Sequence, residues 1–529
     1  MLVNAGSLIG TTAVTSILGF VYWWVAARRF PPEAIGIASA SVSAMMLLGG
    51  FCVLGLGTLL ITELPRQPEK EGELISTALI TVGGVGGCIG LIFALAAPYA
   101  AAGFAPLKAS IANSILFAVG VSLTAVTLVL DQALIGLLRG ELQFWRNTLF
   151  AAVKLVALFF VGLSGMLGMA IYATWVVANL FSLTVLFLHV VAKKKRASQG
   201  HPQGECPSHT HRRTFVYGRD IPLAGALRTY LPQWGLLRKL GFAALQHHLL
   251  NLTLQFPTLA LPVLVTVVLS AKMNAWFYVS WMIVSFVFIV PGALTTVLHA
   301  MNSAQPSTLA RKARVTIGLA VVTGLLANLV LQSATKQVLG LFGSAYADQA
   351  AWCLRILVLA AFPLIIKNHY ISICRIQDRI PAAMLSMLPG GVLELVSAGL
   401  GAHYSGLSGL SIGWVLAICV ESLFMARTVY RAVWSVEGSP VLAAENSILQ
   451  EEASWSITTT PMPVIGQSYI GAESIWLTET TSTPALGDEA TIQRGQQDST
   501  NRNHKNGQYQ LKPPQLRRYK IEHIPKSFF

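Results

Sequence analysis

Asp131, Glu394 and Glu421 stand inside long apolar stretches of the sequence, and Lys154 stands inside another. An ionisable group at membrane depth is costly. It is kept where it binds a coupling ion or proton, or where it pairs with a charge on a neighbouring helix. Asp131 and Lys154 fall on consecutive apolar stretches and are placed to pair. Glu394 follows Pro389-Gly390-Gly391, a helix break, and it joins Asp131 as a candidate for ion coupling. Glu421, near the end of its stretch, reads as structural. A second polar set is His248, Asn251 and Gln255, which share one helical face at spacings of three and four. Such groups bond a polar ligand in a cavity or another helix. His201, Cys206, His209 and His211 match no established zinc spacing. No metal site and no cofactor are expected.

The elements that carry these groups follow from composition. Hydrophobic residues make up 54% of the 529 residues and charged residues 11%, against about 25% charged in an ordinary soluble domain. With a mean hydropathy of +0.60, a soluble globule of this size is excluded, and so is a chain disordered along most of its length. Six cysteines are too few for a disulfide scaffold. Twelve apolar segments are expected as transmembrane helices: 7–26, 38–61, 74–101, 111–137, 148–165, 166–191, 243–270, 277–300, 316–335, 351–372, 382–402 and 409–430. The fold class is therefore an all-α polytopic membrane protein.

The net charge of +14 belongs either to nucleic-acid binding or to cytoplasmic loops, and its distribution decides for the loops. With the N-terminus inside, the inner loops and the inner ends of the spans hold 22 Lys and Arg and the outer loops 5. Both termini are expected to be cytoplasmic, and no nucleic-acid partner is expected. Residues 1–191 form an N-terminal six-helix lobe and residues 243–431 a C-terminal one. Between them, 192–242 is a basic cytoplasmic linker with an interfacial amphipathic pattern near its end. Residues 432–529, rich in Ser, Thr, Gln, Gly and Pro, read as a disordered cytoplasmic tail. Two six-helix halves suggest an internal repeat. In support, Asp131 precedes Arg139 by eight residues at the end of the fourth span, and Lys367 precedes Arg375 by eight at the end of the tenth.

Several stretches carry a family likeness. They are Ala26-Ala27-Arg28-Arg29-Phe30-Pro31-Pro32-Glu33-Ala34-Ile35-Gly36, Gly55-Leu56-Gly57, Leu64-Pro65-Arg66, Phe277-Tyr278-Val279-Ser280-Trp281-Met282, Ile289-Val290-Pro291-Gly292-Ala293-Leu294, Leu341-Phe342-Gly343-Ser344-Ala345-Tyr346-Ala347 and Leu354-Arg355-Ile356-Leu357. In order and spacing over roughly residues 1–431, they resemble the polysaccharide transporter and oligosaccharide flippase family. That family is part of the multidrug/oligosaccharidyl-lipid/polysaccharide exporter superfamily. The long linker and the tail have no counterpart in it.

The resemblance implies two six-helix lobes around a central cavity, alternating access by rocking, and no enzymatic chemistry. The implied substrate is a polyprenyl-diphosphate-linked oligosaccharide crossing the cytoplasmic membrane for polysaccharide biosynthesis. Membrane lipid, a coupling cation and polysaccharide polymerase machinery are the implied partners. A diphosphate crosses hydrocarbon best through a hydrated, cationic cavity. Arg28, Arg66, Arg139, Lys154, Lys367 and Arg375 are then the candidates for phosphate contact, and His248, Asn251 and Gln255 for sugar hydroxyls. Arg suits phosphate because its planar fork donates two parallel hydrogen bonds. Residues at helix ends also snorkel to headgroups, which Lys154, well inside its span, does not. The alternatives are a cation-coupled multidrug exporter, which needs a cavity with carboxylates, a membrane glycosyltransferase or ligase, and a scaffold that does not transport.

Overall fold

Long runs of Leu, Ile, Val, Ala and Phe leave the backbone no water to bond with in a bilayer, and helices satisfy every internal N–H and C=O. The computed structural model describes residues 2–67, 70–161, 167–199, 242–303, 309–377 and 379–434, with two short strands further on. Almost all of this is helix. In chain order the helices are α1 (Leu2–Arg29), α2 (Pro32–Cys52), α3 (Leu56–Glu63), α4 (Glu71–Ala100), α5 (Ile111–Gly136), α6 (Gly140–Leu158), α7 (Leu167–Gln199), α8 (Phe242–Val268), α9 (Ala271–Ser303), α10 (Leu309–Ser333), α11 (Ala351–Val358), α12 (Ala361–Ile376) and α13 (Ile380–Trp434). Short helices at Ala105–Lys108, Thr335–Gly340 and Ser344–Gln349 lie in connections.

Each expected span falls on a helix, with three differences of detail. The second span is broken where Leu54 and Gly55 take positive φ (53° and 76°), so α2 and α3 are its two parts. The tenth is α11 and α12, bent by 40° just before Pro363. The fifth begins earlier than hydropathy suggests, because α6 starts at Gly140 and takes in Glu141 and Arg146. Among the described residues, nine helices are long and apolar enough to cross a membrane, or ten with the bent pair counted as one span. The three charges of α6 keep it out of that number.

The eleventh and twelfth spans are the arms of α13. Ser405 and Gly406 leave helical geometry, with Gly406 at φ 59°, and the chain turns back on itself. The arms then meet through glycines. A Cβ on Gly401 would lie 2.0 Å from the Gly409 carbonyl oxygen, and one on Gly413 would lie 2.1 Å from that of Ser397. Only glycine permits so close an approach, and it sets an antiparallel register. Gly86 packs on Ser122 of α5 in the same way, and Ser122 donates to the Gly83 carbonyl at 2.8 Å. Small residues let helix backbones approach this closely in a membrane.

The linker's amphipathic pattern, the His201–His211 group and most of the tail lie outside the described residues. Strands β1 (Ile465–Gln467) and β2 (Trp476–Thr478) pair antiparallel.

Candidate functional site

Helix packing brings the intramembrane charges into two buried networks and one aromatic box. In the first network Asp131 of α5 is bound by Arg146 of α6. Arg146 Nε donates to Asp131 Oδ1 at 3.1 Å and Nη2 to Oδ2 at 2.7 Å, a bidentate pair. Asn147 Nδ2 adds a bond to Oδ2 at 3.2 Å. Asp131 is 1% exposed and Arg146 4%. The expected pairing of Asp131 with Lys154 is thus replaced. The reason is the early start of α6, which carries Arg146 into the bundle instead of leaving it in an inner loop.

Lys154, about two turns further along α6, is fully buried. Its ammonium stands 4.0 Å from the ring centre of Trp175, 5.0 Å from Phe150 and 5.2 Å from Tyr22. Aromatic faces attract a desolvated cation. Tyr22 is held by a hydrogen bond with the Thr174 hydroxyl at 2.7 Å. The box therefore joins α1, α6 and α7.

The second network joins α12 to both arms of α13. Lys367 Nζ donates to Glu394 Oε1 at 2.5 Å and lies 2.8 Å from Glu421 Oε2. Trp414 Nε1 donates to Glu394 Oε2 at 2.7 Å. All three charged groups are less than a tenth exposed. Lys367, expected at the end of the tenth span, is buried inside the protein. The two networks are of opposite polarity: the fourth span carries the acid and the fifth the base, whereas the tenth carries the base and the eleventh and twelfth the acids.

The remaining candidates lie toward helix ends, except Gln255, which lies at the middle of α8. Arg375 Nη2 points to Asn251 Oδ1 at 3.4 Å, which joins α12 to α8. His248 and Gln255, on the same helix, are half-buried. Arg139 is half-buried at the start of α6, and Arg66 is exposed beside Glu63 at 3.2 Å. Arg139 and Arg66 share one end of the bundle, since Gly136 at the end of α5 packs against Leu60 and Ile61 of α3. Arg28 lies at the other end and its Nε donates to the Leu341 carbonyl at 2.6 Å, beside Trp24 Nε1 at 2.8 Å on the same oxygen.

At that Arg28 end the first six spans are sealed against the last six. Asn274 of α9 donates to the Gly36 carbonyl at 2.9 Å and to the Ser39 hydroxyl at 3.0 Å. A Cβ on Gly36 would lie 1.6 Å from the Ala271 carbonyl oxygen. Trp23 packs on Tyr278 at 4.7 Å between ring centres, and Phe20 on Phe286 at 5.5 Å and Phe342 at 5.6 Å. Trp23 also touches Tyr22 of the lysine box at 5.3 Å. The seal and the buried ammonium are therefore adjacent. Sequence reasoning missed Arg146, Glu421's engagement with Lys367, and the whole aromatic seal. Gln143, Arg146, Asn147, Phe150 and Lys154, recurring at three to four residues, were the legible trace of one inward polar face on α6.

Residues 1–223 match the family described as polysaccharide biosynthesis protein. Among solved structures, an inward-facing multidrug-resistance MATE transporter of the MOP superfamily aligns with 81% of this chain and 99% of its own, at 17% identity and a TM-score of 0.58. A MOP-superfamily transporter from Pyrococcus furiosus, described as having a binding pocket of reversed polarity, aligns with 81% and 95% at 15% identity and a TM-score of 0.50. No curated protein matches the sequence. The chain thus shares the fold of these solved transporters, and the likeness to the polysaccharide biosynthesis family stands on its first 223 residues.

Proposed function

We propose that the protein flips a polyprenyl-diphosphate-linked oligosaccharide across the cytoplasmic membrane, by alternating access between two six-helix lobes, residues 1–191 and 243–431. Both termini, with Arg66, Arg139 and Arg375, face the cytoplasm in this reading, and the Arg28 end faces outward. One observation carries it above cation export. Among the described residues, the intramembrane carboxylates are engaged by bases, Asp131 by Arg146 and Glu394 and Glu421 by Lys367. A cavity that captures cationic drugs needs carboxylates free to meet them. Here Arg66, Arg139 and Arg375 line the cytoplasmic mouth in this reading, and a further ammonium, Lys154, is buried beside the outer seal.

The physical course follows from these positions. Arg375, Arg139 and Arg66 draw a diphosphate to the inner mouth, Arg forks fitting its oxygens. His248, Asn251 and Gln255 offer hydrogen bonds to sugar hydroxyls. When α1 parts from α9, the Trp23–Tyr278 contact opens and the Lys154 box loses its outer wall. The ammonium then meets the anion on its way out. Glu394 and Asp131 are the candidates for ion coupling in this scheme; the oxygens of Asp131 are taken by Arg146 and Asn147, and those of Glu394 by Lys367 and Trp414. Transport, not catalysis, is the activity.

The test uses the purified full chain in proteoliposomes carrying a fluorescent polyprenyl-diphosphate oligosaccharide and a membrane-impermeant quencher. The protein is expected to move label between leaflets, and Arg375→Ala with Arg139→Ala to slow the movement by about tenfold or more, one lost charge-assisted contact accounting for about 1.5–3 kcal/mol. Equal rates with and without protein contradict the reading.

A further inference from the structure

The charges of the second network do not balance. Lys367 brings one positive charge to Glu394 and Glu421. If both carboxylates were ionised, a net negative charge would sit inside the membrane, where uncompensated charge is strongly disfavoured. Geometry separates the two acids. Both oxygens of Glu394 are filled, Oε1 by Lys367 and Oε2 by Trp414. Glu421 is 4% exposed. Its Oε2 lies 2.8 Å from the Lys367 ammonium as an ion pair, and neither of its oxygens has a hydrogen-bond partner among the described residues.

We propose that Glu421 is a proton-binding site, and that the Lys367–Glu394–Glu421 network exchanges one proton with water during the transport cycle. The step is a protonation: the Glu421 carboxylate takes one proton from the aqueous phase, forming an O–H bond at Oε1, and returns it later. Protonated, the network is neutral, with Lys367 and Glu394 as its remaining ion pair. This deepens the coupling part of the proposed function and moves it from Glu394, the acid with no oxygen to spare, to its neighbour.

Among the described residues, no further charged group acts on Glu421. The charged groups acting on Glu421 are Lys367 of α12 and Glu394 of the first arm of α13. Arg375 of α12 is turned to Asn251 of α8, and His369 bonds Thr316 of α10 and the Ile365 carbonyl. Trp414, on Glu421's own arm, is committed to Glu394. Gly390 leaves the space that the carboxyl occupies: a Cβ there would lie 2.6 Å from Glu421 Cδ and 2.7 Å from Oε2. The three groups sit on three helical segments, α12 and the two arms of α13. A proton entering or leaving therefore changes the attraction among segments of one lobe, which is the coupling that a proton-driven rocking motion needs.

The experiment is infrared difference spectroscopy of the full chain in lipid nanodiscs, titrated from acid to alkaline pH. It needs no substrate, so a failure of the flippase reading leaves it interpretable. The expected result is a carbonyl band of a protonated carboxyl that is lost as pH rises and is missing in Glu421→Gln, an isosteric change checked for folding by size-exclusion chromatography. Lys367→Met, which removes the balancing ammonium, is expected to enlarge the band and carry it to higher pH. Gly390→Ala, which presses a methyl group on the carboxyl, is expected to shift its frequency. A titrating band that survives in Glu421→Gln overturns the proposal. So does the lack of any titrating carboxyl band in the unaltered protein, including the case where sodium alone stabilises the protein through Glu421.

Discussion

Arg146→Ala is expected to destabilise the protein by about 3–5 kcal/mol, the cost of stranding one member of a buried ion pair. Asp131 would lose two of its three hydrogen bonds in a site where it is 1% exposed. The measurement is thermal unfolding in detergent, read by the fluorescence of a buried-thiol dye. The double change Asp131→Leu with Arg146→Met is expected to recover much of the loss, because it removes both charges and leaves apolar side chains of similar reach. Arg66→Ala provides the comparison, since its ion pair with Glu63 is exposed and such pairs contribute about 0–1 kcal/mol. If Arg146→Ala is no more harmful than Arg66→Ala, Asp131 is not held as described.

Gly36→Val is expected to prevent the outer seal from forming. Its first added carbon would lie 1.6 Å from a backbone oxygen and 2.4 Å from a backbone carbon of Ala271. Backbone at the start of a helix yields little, so the helices α2 and α9 must separate. Overpacking of this kind costs about 1–3 kcal/mol, which shifts the sealed-to-open ratio by about 5- to 150-fold. The readout is disulfide formation between Ser39→Cys and Asn274→Cys, whose native side chains touch at 3.0 Å. Crosslinking is expected to be fast with Gly36 in place and slower by about tenfold or more in Gly36→Val, with transport falling alongside. Gly84→Val is the control, for nothing lies within 4 Å of a Cβ there. Unchanged crosslinking and transport in Gly36→Val contradict the assignment of the seal.

The spans were legible because hydropathy over twenty residues is a local property, and the helices lie where the apolar runs do. The breaks were less so. The positive φ at Leu54 has no signal in leucine itself, only in the Gly55 that follows. Hydropathy misplaces the start of α6 because its first turns are polar, and that single shift hides the partner of Asp131. A search for inward polar periodicity, in place of hydropathy, finds Gln143, Arg146, Asn147 and Lys154 on one face. The Lys367 network was out of reach for another reason. It depends on the register of the two α13 arms, which the close glycine contacts of Gly401, Gly409 and Gly413 fix only in three dimensions. Arg28 was legible as important but not as a seal residue, since the Leu341 carbonyl that it meets is more than three hundred residues away.

The central claim is that the cargo is a lipid-linked oligosaccharide, and it is tested most directly by mass spectrometry of membrane lipids from a strain lacking this chain. The account predicts that polyprenyl-diphosphate oligosaccharides accumulate and stay in the inner leaflet, where an added glycosidase cannot reach them from outside. The same spectrum then names the sugar. If no such lipid accumulates, even with other flippases of the cell removed, the claim is contradicted and export of a different cargo takes its place.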